Sequence, residues 1–287
     1  MDPTATPKTV TTVESLRREV AAARREGRRI GLAPTMGALH EGHLSLVRAC
    51  RAECDWTVVS IFVNPTQFGP GEDLDRYPRM LEADVAKLAA CGTNLVFAPS
   101  DDQVYRPGHD TWVDVVELSR RWEGECRPSH FRGVTTVVLK LLNMVGPDVA
   151  CFGQKDYQQA ALIRRMVADL DVPVEIRVYP TIREPDGLAM SSRNAYLSPD
   201  ARRRAVVLWE SLCLARDLVA SGERDADVVG ARMRETVASA GDARIDYIAL
   251  ADPDTLEPVA RIAGPTLAAL AVTIEKTRLI DNELLLP

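Results

Sequence analysis

The segment Pro34-Thr35-Met36-Gly37-Ala38-Leu39-His40-Glu41-Gly42-His43 carries the densest chemistry in the chain. Two imidazoles, at His40 and His43, stand between an apolar run, Ile30–Ala33, and a second stretch, Leu44–Cys50, whose apolar spacing suits one buried helix face. The first run reads as a strand, so the histidines fall where a strand hands over to a helix. The first turn of a helix presents unpaired N–H groups and a partial positive charge. Gly37 and Gly42 admit close backbone approach, and each imidazole adds a donor on the same side. The combination reads as a cradle for a nucleotide polyphosphate. A lone histidine at a helix start is more often a cap or a core residue, but the chain has only four histidines and two of them share this turn. The spacing is not the i, i+4 pair of a zinc protease, and no third metal ligand follows nearby.

Three further segments carry functional groups. Asn64-Pro65-Thr66-Gln67-Phe68-Gly69 follows the apolar run Ser60–Val63. Asn64 and Gln67 offer amides to a small polar substrate, although Asn-Pro and Gly are also plain turn formers. The following loop, Pro70–Pro78, reads as a surface excursion. Asp73, Asp75 and Asp84 are within sequence reach of a magnesium–phosphate complex, but a solvated acidic face is the expectation for them. Phe152-Gly153-Gln154-Lys155-Asp156-Tyr157-Gln158-Gln159 again joins a strand to a helix. There Gly153 permits close approach, Lys155 supplies a mobile cation for phosphates, and Asp156 can cap the helix or hold a hydroxyl. The glycines of a Walker loop are missing. Gly187-Leu188-Ala189-Met190-Ser191-Ser192-Arg193-Asn194 places two hydroxyls and a fixed cation where a loop could close over phosphates; a plain polar loop has the same composition.

The elements that must position these groups alternate. After a helix between Thr11-Thr12-Val13-Glu14, a capping-box pattern, and Gly27 come the strand Ile30–Ala33, the helix after His43 and the strand Thr57–Val63. A helix over Leu81–Cys91, a strand Asn94–Ala98, a helix Thr135–Val145, a strand Val149–Phe152, a helix Gln158–Leu170 and a strand Val174–Tyr179 follow. Short, β-branched, continuously apolar strands are those covered on both faces, so the pattern predicts an α/β fold: a Rossmann-like, doubly wound parallel sheet. Ligands of such sheets sit at the carboxyl ends of the strands, where His40, His43, Asn64, Gln67, Gly153 and Lys155 all fall. After Thr181 the texture changes. A long helix from Ser198-Pro199-Asp200 to Ser221, a helix over Asp225–Ala240, and strands Ile245–Leu250, Leu267–Ile274 and Thr277–Ile280 predict a smaller α+β domain over residues 182–287, beside a nucleotide-binding domain over 1–181.

Composition narrows the function classes. The net charge of −6, with acids and bases interspersed, argues against a general nucleic-acid binder. The polar start Met1–Lys8 has no signal-peptide character, and no run is long enough to span a membrane. Six cysteines without a Cys-x-x-Cys pair, several within apolar runs, read as reduced core thiols and a cytoplasmic chain.

Taken together, Pro34–His43, Ser60–Phe68, Arg127–Gly133, Cys151–Arg164, Asp186–Leu197 and Arg278–Asn282 resemble, in order and over nearly the whole chain, the pantothenate synthetase family. That family joins pantoate to β-alanine at the expense of ATP. The His-x-x-His and Met-Ser-Ser-Arg elements are shared with the wider nucleotidylyl-transferase and class I tRNA-synthetase superfamily; Val-Asn-Pro-Thr-Gln-Phe and Lys-Asp-Tyr-Gln-Gln narrow it. The resemblance implies that ATP lies along Met36, Gly37, His40 and His43, along Gly153, Lys155 and Asp156, at Ile182, and along Met190, Ser191, Ser192 and Arg193. It implies pantoate on Gln67 and Gln159, β-alanine near Gln67 and Asn64, a magnesium requirement without identified ligands, and a homodimer. Gln154 stands where the family often carries Glu, which bears on metal dependence, and Thr66 replaces a frequent Met, a change expected to alter pocket shape only slightly. His40, His43, Lys155 and Arg193 are the expected catalytic groups, with His43 the principal donor, and closure of the smaller domain is expected to keep water from an acyl-adenylate. A nucleotidylyl transferase would leave Asn64, Gln67 and Gln159 without a role, and a non-catalytic nucleotide sensor would gain nothing from two imidazoles with Lys155 and Arg193.

Overall fold

The structure, a computed structural model, describes residues 6–287; Met1–Ala5 of the polar N-terminus lie outside the described residues. In chain order the elements are β1 (Lys8–Val10), α1 (Val13–Arg25), β2 (Ile30–Thr35), α2 (Glu41–Glu53), β3 (Trp56–Ile61), α3 (Leu81–Ala90), β4 (Leu95–Phe97), α4 (Asp101–Val104), α5 (Glu123–Cys126), α6 (His130–Val145), β5 (Val149–Gly153), α7 (Tyr157–Asp169) and β6 (Glu175–Tyr179). Then come α8 (Pro199–Arg204), α9 (Val207–Ala220), α10 (Ala226–Ala238), β7 (Arg244–Ala251), β8 (Thr266–Ile274) and β9 (Thr277–Leu285).

The chain divides into two compact units, one running to Gly153 and resuming over Gln159–Pro180, the other comprising Gln154–Gln158 and Thr181–Pro287. A single cut after Thr181 is therefore not what the contacts give. The turn carrying Lys155 and Asp156 goes with the second unit, because Asn282 holds the carbonyls of Gln154 and Lys155 and Pro253 accepts the Tyr157 hydroxyl.

The first unit is a six-stranded sheet in the order β1-β4-β3-β2-β5-β6, parallel throughout. Its strands alternate between two cores, as a period of two requires. Ile30, Leu32, Val58, Leu95 and Phe97 face one core with Leu16 of α1 and Leu142 of α6, whereas Ala33, Val59 and Val96 face another with Val47 of α2 and Leu88 of α3. Both faces are thus covered, which is why these strands read as unbroken apolar runs. The strand order reverses between β2 and β5, so Thr35 and Gly153 end at one edge of the sheet, the position where open α/β sheets bind ligands. β1 was not foreseen; three residues are too few to show a period.

The second unit is an antiparallel sheet, β7-β8-β9, packed with α9 and α10 around Leu208, Leu212, Val229, Met233, Leu270 and Val272. Two details differ from the sequence reading. Thr12, and not Thr11, caps α1, accepting the Ser15 N–H at 3.2 Å. The expected long helix from Ser198 is two helices broken at Ala205–Val206, with no proline or glycine there to announce the break.

Candidate active site

The histidine segment leaves β2 through a left-handed turn, with φ of +84° at Gly37 and +51° at Ala38. Gly37 is needed for a second reason: a Cβ there would stand 3.1 Å from both Asp84 Oδ2 and Ile61 Cγ2. Asp84, on α3 and fully buried, accepts the N–H groups of Ala38 and Leu39, each at 2.8 Å. Lys87, one turn further along α3, donates to the Leu39 carbonyl at 2.6 Å. The expectation that Asp84 is either solvated or near magnesium is therefore corrected: its carboxylate is the anchor of the loop that delivers the histidines.

His40 is the N-cap of α2 and His43 its third residue. The His43 N–H reaches the His40 carbonyl at 2.9 Å, and the His40 N–H points at His43 Nδ1 at 3.4 Å. Because Nδ1 accepts, this network assigns the proton of neutral His43 to Nε2. The two rings lie 4.1 Å apart between centroids, tilted by 42°. Two imidazoles thus sit together on the first turn of a helix.

A polar cluster follows β3, where Pro65–Gln67 forms a 3-10 turn. Asn64, 1% exposed, donates to Gln67 Oε1 at 3.1 Å and to the Gly133 carbonyl at 3.2 Å, and its Oδ1 accepts from Tyr105 at 2.8 Å and Thr66 at 3.0 Å. Both Asn64 N–H groups are thus engaged inside the protein, and its Oδ1 shares the two hydroxyl hydrogens of Thr66 and Tyr105 with the contact between those hydroxyls. Asn64, expected near β-alanine, also organises this turn. Gln67 donates to the Met36 sulfur at 3.1 Å and keeps one N–H and one lone pair beyond these contacts. Thr66 does more than alter shape, since its hydroxyl also meets the Tyr105 hydroxyl at 2.9 Å.

The turn rests on α6 at Gly133, where a Cβ would lie 2.5 Å from the Thr66 carbonyl oxygen. His130 meets the Gln67 carbonyl through Nδ1 at 2.9 Å. As a carbonyl only accepts, Nδ1 carries the hydrogen. Burial, aided by the neighbouring Arg127 charge, pushes the His130 pKa down to about 4. Arg127 donates to both oxygens of Glu72, at 2.8 and 2.6 Å, and to the Gln67 carbonyl at 3.3 Å. Burial alone would raise the Glu72 carboxyl, but Arg127 outweighs it and holds the group below its usual range.

Gly153 ends β5, and Gln159 lies half-buried on α7. A Cβ at Gly153 would meet only Leu46 Cδ1, at 3.8 Å, so packing does not demand glycine there. In the second unit Lys155 Nζ lies 3.9 Å from Asp156 Oδ1. Ile182 and Met190 pair through their backbones at 2.9 Å across a hairpin over 183–189. Ser191 caps the 3-10 helix Ser192–Tyr196, its hydroxyl accepting the Arg193 N–H at 3.3 Å. The predicted residues thus form sub-groups: Met36 with Gln67, His40 with His43, Asn64 with Gln67, Ile182 with Met190, and Ser191 with Arg193. Among the described residues no group of three or more His, Cys, Asp and Glu side chains could hold a metal ion. No helix among them is long and apolar enough to cross a membrane.

The sequence profile of the Pantoate-beta-alanine ligase family matches residues 8–284. The chain belongs to the pantoate–β-alanine ligase family. It is accordingly an enzyme, a ligase that joins pantoate to β-alanine. It is 55% identical over 274 residues to the pantothenate synthetase of Moorella thermoacetica, covering 96% of this chain and 97% of that one. The crystal structure of pantothenate synthetase from Thermus thermophilus matches with a TM-score of 0.93 at 46% identity, over 98% of this chain and 100% of that one. A pantoate–β-alanine ligase from Francisella tularensis, complexed with beta-gamma ATP and beta-alanine, matches with a TM-score of 0.79 at 33% identity and 97% coverage of each.

Several residues shape the ligase site in ways the sequence did not indicate. Asp84 and Lys87 hold the histidine loop, and Tyr105 completes the Asn64 network. An acid in the first turn of a helix and a lysine in its last turn are ordinary helix signals, and Tyr105 stands outside every motif. His130 and Arg127 lay inside a recognised stretch, but nothing in their spacing showed that they would hold the Gln67 carbonyl.

Proposed function

We propose that this ligase works in two steps through a pantoyl adenylate, with ATP as the activating substrate. The observation that carries the reading is the paired imidazoles of His40 and His43 on the first turn of α2, at the sheet edge where the strand order reverses. In the first step the pantoate carboxylate attacks the α-phosphorus of ATP, and the bond to the bridging oxygen breaks to release pyrophosphate. A carboxylic acid with a pKa of about 4 is already ionised at neutral pH, so this step needs no base. It needs alignment and donors where charge accumulates. His43 supplies a donor from Nε2, His40 and the α2 N–H groups supply others, and Lys155 and Arg193 supply cations. Met36, Gly37, Gly153, Asp156, Ile182, Met190, Ser191 and Ser192 line ATP in this reading, and beside Gly153 only Leu46 Cδ1 stands within 4 Å of where a Cβ would be.

In the second step the β-alanine amine attacks the acyl carbon and AMP leaves. An amine with a pKa of about 10 is mostly protonated at neutral pH and must shed a proton first. Gln67 and Gln159 hold pantoate, Gln67 through its remaining donor and acceptor. β-Alanine enters near Gln67 and Asn64, and Asn64 also fixes Gln67.

Magnesium enters this reading with ATP. A cation that keeps its waters and binds mainly phosphate oxygens needs no protein cage. When bound with ATP it would supply positive charge that offsets the leaving pyrophosphate, beside Lys155 and Arg193. A homodimer, supported by family resemblance, and a cytoplasmic location, supported by six free thiols, complete the proposal.

The test is AMP release from ATP and pantoate, with and without β-alanine. Strong β-alanine-dependent release, with pantothenate as product and pantoate-dependent pyrophosphate exchange in its absence, is expected. ATP binding without turnover in either condition would overturn the reading.

A further inference from the structure

Strand β9 breaks its own alternation near its end. Asp281 and Asn282 are consecutive and polar, yet each is only 2% exposed. Asn282 donates from Nδ2 to the carbonyls of Gln154 at 2.9 Å and Lys155 at 2.8 Å. Its Oδ1 faces Gln154 Nε2 at 3.4 Å, and its own N–H is taken by Asp281 Oδ1 at 2.8 Å. Asp281 in turn holds Arg183 through two bonds, at 2.5 and 3.0 Å, and the Arg183 guanidinium lies 3.7 Å above the Trp209 ring. The dipeptide therefore sits on a rigid base and grips the short turn that carries Lys155.

A lysine is a point charge on a flexible stem, so what fixes its working position is the backbone at its root. Both N–H groups of Asn282 serve that root. The two carbonyls fix which way the Asn282 amide points, since only its NH2 can serve them, and its Oδ1 is left facing Gln154 Nε2. We propose that Asn282 is a positioning residue for Lys155. The inference rests on Lys155 acting on ATP phosphates, as proposed above.

The experiment combines pyrophosphate exchange with amide hydrogen exchange on the full chain. Asn282→Ala is expected to lower the exchange kcat by about 100-fold with the KM for ATP within about twofold, since a displaced group loses transition-state contact before it loses binding. In a Lys155→Ala background the same change should alter the rate by less than about twofold, because residues acting through one another are not additive. Amides over 154–157 should exchange about tenfold faster, with those of α6 unchanged. Asn282→Asp, which keeps the side-chain volume but removes both donors to the two carbonyls, is the second variant if Asn282→Ala does not fold, and should move all three readouts in the same direction. Unchanged amide exchange over 154–157, or full additivity with Lys155→Ala, overturns the proposal. A wild-type chain that exchanges no pyrophosphate would sink the functional reading instead, and the amide exchange would still decide whether Asn282 holds the turn.

Discussion

Asp84 accepts the main-chain N–H of Leu39 at 2.8 Å, while Lys87, one turn along the same helix, donates to the carbonyl of that same Leu39 at 2.6 Å. Both polar groups of the residue preceding His40 are thus held by α3. A helix whose sequence carries no catalytic signal fixes where the two imidazoles emerge.

Asp84→Asn tests that anchor. Whichever way the new amide turns, an NH2 group meets one of two N–H groups, leaving buried donors unpaired at a cost of about 1–3 kcal/mol. Urea unfolding should show that loss, and pyrophosphate exchange should fall by at least about tenfold as the loop shifts. A variant with wild-type exchange would show that the histidines hold their places without Asp84.

His43→Ala removes the donor assigned to the transition state while leaving the backbone bond between His43 and His40 in place. The fold should survive, judged by circular dichroism and melting. Adenylation, read as pyrophosphate exchange, should drop by about 100- to 1,000-fold, the usual consequence of losing one preorganised donor. An unaltered rate would remove His43 from the chemistry.

The sequence made the histidine turn legible because strand, glycine and helix signals are local and adjacent. It made the sheet legible because strands covered on both faces leave continuous apolar runs. Asn64 shows where such reading stops. Its residue type suggested a substrate ligand, but its four partners come from Thr66, Gln67, Tyr105 and Gly133, and only the fold brings Tyr105 and Gly133 to it. Asp84 was opaque for the same reason, since burial is a tertiary fact. The Asp281-Asn282 pair did leave a trace, two polar residues interrupting an apolar strand, but its target on the Gln154–Lys155 turn did not.

Tyr105→Phe isolates the Asn64 network. The change removes one donor to Asn64 Oδ1 and one partner of Thr66, worth about 1 kcal/mol each in similar settings. The kcat/KM for pantoate should fall by roughly fivefold to tenfold as Gln67 loses its fixed orientation, with the KM for ATP unchanged. Equal losses for both substrates would count against a pantoate role for Gln67.

His130 gives a pH signature. Its folded pKa, about 4, lies below the unfolded value of about 6.5, so the unfolded chain binds the extra proton first. Stability from keeping His130 neutral is complete above about pH 6.5 and is lost as pH falls toward 4, by at most about 3 kcal/mol. His130→Asn, which keeps a donor for the Gln67 carbonyl, should lose less stability than the wild type between pH 7 and 4.5 in urea titrations. Parallel curves for the two proteins would mean that His130 titrates normally.

Gly133 and Gly153 offer a paired comparison. A methyl at Gly133 would stand 2.5 Å from the Thr66 carbonyl oxygen and 2.7 Å from the Gln67 nitrogen, both backbone atoms that cannot rotate away. Gly133→Ala must therefore push the Pro65–Gln67 turn off α6, costing about 1–3 kcal/mol and raising the KM for pantoate. At Gly153 the same methyl would meet only Leu46 Cδ1 at 3.8 Å, an ordinary contact. Gly153→Ala should keep its stability within about 0.5 kcal/mol. Its defect should appear in the KM for ATP alone, because the space the methyl fills is the space assigned to the nucleotide. Unfolding and steady-state kinetics on both variants separate the two roles. A Gly153→Ala enzyme with wild-type ATP kinetics would place the nucleotide away from the end of β5.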